Sequence, residues 1–123
     1  SNIAKLKFIT AHSDGIIFDY SFADGEMVLH ANPELGIKSD VVFDPLDREQ
    51  ASKHFYMPAY DKAIECLHKA TPLKPEVSFE YPRAEDDKLI MYKVDMLCIY
   101  SEDRANLINV TGKINKTERG LKS

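Results

Sequence analysis

The stretch Leu89 to Tyr100 is apolar on both of its alternating faces and is interrupted by Lys93 and Asp95. Successive side chains of an extended chain point to opposite faces, so this run reads as a central strand covered on two sides. Such a strand needs partners, and the sequence supplies them. Ile16 to Phe22 puts Phe18, Tyr20 and Phe22 on one face, with Ile17, Asp19 and Ser21 on the other. Asp24-Gly25 is a hairpin signal, because a tight turn needs the positive φ that glycine supplies freely, and Met27 to His30 is the returning strand. Val77, Phe79 and Tyr81 alternate with Ser78 and Glu80, a half-buried strand with Phe79 as an expected core residue. Arg83 to Asp87 is polar and turn-like, and Ser101-Glu102-Asp103 turns the chain again. Leu107 to Ile114 closes the set, with Ile108, Val110, Gly112 and Ile114 on one face.

Helical signals stand apart from the strands. Ile3, Leu6 and Ile9 form a short stripe that Ser13-Asp14-Gly15 ends. The pattern loosens between Ala31 and Phe55, where a short helix is predicted around Pro45 to Lys53. Pro58 suits a helix's first turn, where its missing N–H costs nothing. Tyr60, Ala63, Ile64 and Leu67 then make one apolar stripe, and Thr71-Pro72 ends it. The order of elements predicts an α+β fold: a five-stranded antiparallel sheet with helices packed on one face. The expected organisation is an N-terminal helix over 1–12, a domain over 13–114, and a connecting segment from 115 to 123.

A chain of 123 residues, 44% apolar, can bury one core. Its net charge of −4 argues against nucleic acid as a partner. The locally basic stretch Lys113 to Lys122 reads as a solvated tail. No apolar run approaches the roughly 20 residues that span a bilayer, and no signal peptide opens the chain, so no membrane insertion and a cytoplasmic location are expected. Cys66 and Cys98 are too few for a disulfide framework and sit in apolar patterns, as core thiols in a reducing compartment do.

Catalytic motifs are missing: there is no HExxH, CxxC or GxSxG, and no glycine-rich phosphate loop. His12, His30, His54 and His68 are not spaced with a second histidine or a cysteine as metal ligands are, so no metal site is expected. Asp19 in its strand is either solvated and bonded or, if turned inward, a base of raised pKa. Lys93 and Asp95 share a face and either pair or grip a polar ligand. The aromatics in strand patterns either fill the core or line a cavity. For such a cavity Phe18, Tyr20, Tyr92 and Lys93 are the candidate ligand-binding residues, with Tyr92 and Lys93 on opposite faces unless a bulge intervenes.

The run Gly15-Ile-Ile-Phe-Asp-Tyr-Ser-Phe-Ala-Asp-Gly25-Glu-Met resembles the opening strand pair of PAS domains. Pro58 falls where many members begin their long helix with His-Pro-x-Asp, although Met57 and Tyr60 depart from that pattern. Val77 to Tyr81 and Leu89 to Val94 resemble the next hairpin, with Tyr92 where the family often has Trp. Gly112-Lys-Ile-Asn-Lys-Thr-Glu-Arg119 resembles the closing Gly-x-x-Asp-Ile-Thr-Glu-Arg, with Asn115 in place of Asp and Lys116 in place of Ile. The resemblance implies a homodimeric sensor that reads a small-molecule ligand or relays a signal. Its output would be a domain absent from this chain, such as a diguanylate cyclase (GGDEF) or a histidine kinase. Asn115, Thr117 and Arg119 would carry the signal, with Thr117 capping a following helix. The family's cofactors do not carry over: the flavin motif Asn-Cys-Arg-Phe is absent, and neither His54 nor His68 has a recognisable haem setting, so the cofactor is unknown. On this reading the chain is not an enzyme. The alternative is a small α+β barrel enzyme acting on an apolar substrate, with Asp19 or His54 as base.

Overall fold

The computed structural model describes residues 15–117 together with Lys5 and Phe8. The expected stripe of Ile3, Leu6 and Ile9, and Arg119 with the rest of the segment after Thr117, lie outside the described residues. Among the described residues six strands form one antiparallel sheet: β1 (Ile16–Ser21), β2 (Glu26–Leu29), β3 (Val41–Phe43), β4 (Glu76–Glu85), β5 (Lys88–Tyr100) and β6 (Leu107–Lys116). Their order across the sheet is β3-β2-β1-β6-β5-β4. The sequence predicts five strands; the sixth is β3, three residues that pair with β2 through Met27–Phe43 and Leu29–Val41.

The hairpin turns follow from local chemistry. Gly25 takes φ +66° at the β1–β2 turn. Asp86 and Asp87, at φ 48° and 63°, close β4 onto β5 in the two-residue loop that requires positive φ at both positions. That places the turn later than the polar stretch suggests: Arg83 to Glu85 are strand, paired with Ile90, Leu89 and Lys88. The last strand likewise runs two residues past its expected end, with Asn115 opposite Lys93 and Lys116 opposite Tyr92.

β3 lies at one edge of the sheet and β4 at the other, so the chain between them must cross roughly 24 Å at ~4.8 Å per strand. Two helices occupy that crossing, α1 (Arg48–His54) and α2 (Met57–Leu67). Asp47 caps α1 by accepting from the Glu49 and Gln50 amides at 3.0 and 3.3 Å. Pro58 sits in the first turn of α2. The stripe of α2 is rotated from the predicted one: Ala59 and Cys66 are buried, Tyr60, Ala63 and Leu67 pack beside them, and Ile64 is exposed. The core lies between these helices and the sheet face carrying Phe18, Met27, Tyr81, Val94, Met96 and Val110.

Not every helical residue lies on that face. Lys5 and Phe8 are helical and reach the opposite one, which corrects the one-sided arrangement expected. Lys113 is buried there, donating from Nζ to the Phe8 carbonyl at 2.8 Å, with the Phe8 ring centroid 4.3 Å away. Burial pulls the Lys113 ammonium below its ordinary pKa. Beside it Asp19 receives Lys5 Nζ at 2.8 Å, His30 Nε2 at 2.8 Å and the buried Thr111 hydroxyl at 2.6 Å.

Burial alone would raise the Asp19 carboxyl, but the three donors outweigh it and hold the group below its usual range. A depressed carboxylate contributes stability that is complete above its unfolded pKa, near 4, and is lost as pH falls through that value toward the folded one. Asp19→Asn is therefore expected to lower stability at neutral pH by about 1–3 kcal/mol, and less in acid. Melting curves between about pH 6 and pH 2 should converge for the two proteins. A constant gap across that range would show that the charge on Asp19 is not what stabilises.

Candidate ligand cleft

The space between the sheet and the two helices is not completely filled. A cleft of about 260 Å³ opens there, with Phe18, Tyr20 and Met96 on the sheet side and Phe55, Tyr60 and Ala63 on the helix side. The positions follow from local structure. Phe18 and Tyr20 alternate with Asp19 on β1, so both rings face the helices. Phe55 ends α1 as its C-cap, where extended backbone (φ −125°, ψ 151°) turns the chain toward α2. Its ring meets Phe18 edge-on at 5.8 Å and stacks on Tyr60 at 6.1 Å. The Tyr60 hydroxyl donates to the Pro45 carbonyl, so the ring is tethered at both ends.

The lining is almost wholly hydrocarbon, and among the described residues no buried side-chain nitrogen or oxygen lacks a partner. The cleft therefore offers shape and hydrophobic contact rather than fixed hydrogen bonds. At about 30 Å³ per water, its volume corresponds to roughly nine water molecules, a small ligand's worth of space.

A second and wider cleft, about 880 Å³, adjoins the first and shares Phe55, Tyr56, Tyr81 and Ile114 with it. The partition is a pair of stacked rings, Tyr56 on Tyr81 at 5.8 Å, and Tyr81 stacks in turn on Tyr92 at 5.3 Å. The outer cleft carries Lys38, Lys53, Arg83 and Lys116 on its lining, with Glu85 as its carboxylate. Arg83 lies over the Tyr56 ring, 4.8 Å from its centroid. Glu85 accepts from the Tyr92 hydroxyl at 2.5 Å and meets Lys116 at 3.6 Å; the Tyr92 bond in particular keeps its carboxyl below the usual range.

The four predicted ligand residues separate. Phe18 and Tyr20 line the inner cleft and Tyr92 the outer one. Lys93 points to the other face of the sheet, 3.6 Å from Asp95, and lines neither. Alternation along β5 forces that choice, because Tyr92 faces the helices. Asn115 lines the outer cleft and packs so closely on Gly15 that a Cβ there would overlap its Oδ1. Thr117 donates through both its amide and its hydroxyl to the Met91 carbonyl, at 2.9 and 3.3 Å, which engages its hydroxyl with the sheet. Sequence reasoning missed Tyr56, Phe55 and the outer basic residues. Tyr56 and Phe55 lie two and three positions before Pro58, and the junction that Pro58 marks was their only signal.

The remaining chemistry-bearing groups are quiet. Cys66 and Cys98 are buried and free, and burial raises the Cys98 thiol to about 11. Among the described residues no group of three or more His, Cys, Asp or Glu could hold a metal, and no helix is long and apolar enough to cross a membrane.

No protein-family model matches the chain, and no curated protein matches it. A solved structure does: the crystal structure of a sensory box histidine kinase/response regulator from Burkholderia thailandensis. It is similar with a TM-score of 0.53 over 92% of this chain and 84% of that one, at 9% sequence identity. At that identity the likeness concerns the fold, and it agrees with a PAS-like α+β arrangement.

Proposed function

We propose that this chain is a cytoplasmic sensory module that takes up a small, mainly apolar ligand in the inner cleft and passes its occupancy to an output domain. The observation carrying the reading is the unfilled apolar cleft between the sheet and α1–α2, in a fold shared with a sensory box protein. A purely scaffolding module has no need of such a space, since protein interiors otherwise pack to crystal-like density. Its walls come from β1, β2, β4, β5 and β6, from α2, and from Phe55 at the C-cap of α1, so occupancy can bias how the helices sit on the sheet. The homodimer and the choice between a diguanylate cyclase and a histidine kinase output come from the PAS resemblance.

The relay is assigned to Asn115, Thr117 and Arg119. Asn115 touches both the outer cleft and the start of β1, and Thr117 ties the chain after β6 to β5. Octan-1-ol is a neutral probe of suitable size. It is expected to raise the melting temperature of the wild-type domain and to leave Ala63→Phe, which fills the cleft, unmoved. In the full-length protein, Asn115→Ala with Thr117→Ala should abolish the effect of ligand on output while binding persists. A wild-type domain that is not stabilised by any neutral apolar probe, and that retains no small molecule in native mass spectrometry, would remove the sensor reading. An unchanged output response in the double variant would remove the relay.

A further inference from the structure

We infer that the ligand is an amphiphilic anion, with its apolar body in the inner cleft and its charged end among the basic residues of the outer cleft. The inference rests on the ligand reading above and adds the chemistry of the second half of the site. Three observations carry it.

The first is charge. The chain as a whole is acidic, with 20 Asp and Glu against 16 Lys and Arg. The outer cleft reverses that balance, with four cationic side chains and one carboxylate, Glu85. Glu85 is already engaged by Tyr92 and Lys116, so it neutralises little of what remains. The cations come from four separate places: Lys38 after the 3-10 turn Pro33–Leu35, Lys53 on α1, Arg83 on β4 and Lys116 on β6. Converging on one concavity, they focus a positive potential there.

The second is contiguity. The two clefts share the Tyr56–Tyr81 wall, and Arg83 sits directly against the Tyr56 ring. Tyr56 is the N-cap of α2 and makes no side-chain capping bond; its half-buried ring stacks on Tyr81 at the junction of the two helices. A molecule filling the inner cleft that extends past this ring meets Arg83 next.

The third is division of labour. The inner cleft is lined almost wholly by hydrocarbon, so a ligand buried in it entirely must be mainly hydrocarbon or leave most of its polar end unpaired, which is costly. A ligand whose polar end crosses into the outer cleft avoids that cost, and an anion gains charge-assisted hydrogen bonds there.

The test compares two molecules with the same tail, octanoate and octan-1-ol, by calorimetric titration of the purified chain at pH 7. Octanoate is expected to bind about tenfold or more tightly. In Arg83→Gln with Lys116→Gln, octanoate should fall to the level of octan-1-ol while octan-1-ol is unchanged. Both positions are exposed, and a melting curve checks that the variant is folded. Raising the salt concentration on the wild type should weaken octanoate alone and gives the same answer without a substitution. Octan-1-ol binding as well as or better than octanoate would overturn the anionic end and leave the apolar sensor standing. A preference for octanoate that survives both the substitutions and the salt would also overturn it, because the outer cleft would then not be its source. Binding of neither molecule would overturn this inference together with the ligand reading.

Discussion

Replacing Tyr81 by alanine is expected to cost about 3–5 kcal/mol, the range for truncating a buried aromatic side chain, and to lower the melting temperature by on the order of 10–20 °C. Tyr81 is 6% exposed and stands in a row of rings, with Tyr56 stacked on one side and Tyr92 on the other. Its neighbour Phe79 has a centroid 6.2 Å away but is only half-buried, so the burden that alternation assigned to Phe79 falls on Tyr81. Phe79→Ala should therefore be the milder of the two substitutions. Tyr81→Phe keeps the ring and both stacks and is expected to cost far less than Tyr81→Ala. Chemical denaturation of the three variants ranks them; a Phe79→Ala midpoint below that of Tyr81→Ala would show that the core is centred elsewhere. Because Tyr81 is also part of the wall between the clefts, its loss should join them and weaken discrimination between ligands of different length.

Gly112→Ala is expected to destabilise by about 1–3 kcal/mol, as overpacking does, although it adds one methyl group. Gly112 lies opposite Phe18 across the β1–β6 pair, and the Phe18 ring covers it. A Cβ at position 112 would overlap the ring's Cζ, Cε1 and Cε2 atoms. The ring must then swing away, and the space open to it is the inner cleft that it lines. The substitution should thus reduce ligand uptake as well as stability. Phe18→Leu shortens the side chain and should relieve the clash, so the double variant is expected to be more stable than the sum of the single effects by about 0.5–3 kcal/mol. Additive effects in the four-protein cycle would show that ring and glycine do not meet.

Residues with strong local rules were legible in the sequence. Asp24-Gly25 announced a hairpin because its φ requirement leaves few alternatives, and Pro58 announced the first turn of α2. The alternation through β1 and β5 gave the strands, and it gave the exclusion between Tyr92 and Lys93, but an alternation has no marker of which face is inward. β3 escaped because three residues beside Asp44-Pro45 are too short to show a period. The end of β4 escaped because Arg83 and Glu85 face the outer cleft, where polar side chains are what the surroundings favour. Lys113 looked like part of a basic tail and proves to be among the most buried residues, because Phe8, over a hundred positions away, covers it. The convergence of the outer cleft's cations left no trace in the sequence, since they come from four unconnected segments.

The seam between β1 and β6 brings the two ends of the domain together: Ile16, the first residue of β1, is paired with Ile114 near the end of β6. The strands are antiparallel and their outer ends lie side by side, so the chain enters and leaves the sheet at one point. Tension drawn through the segments before Gly15 and after Lys116 would not shear this seam as a block. It would peel it, loading the Ile16–Ile114 pair first, then Ile17–Lys113, then Phe18–Gly112. The third pair in that sequence is the one whose ring lines the inner cleft. A pull on the ends and a molecule in the cleft thus act on the same few residues, one from the rim and the other from within.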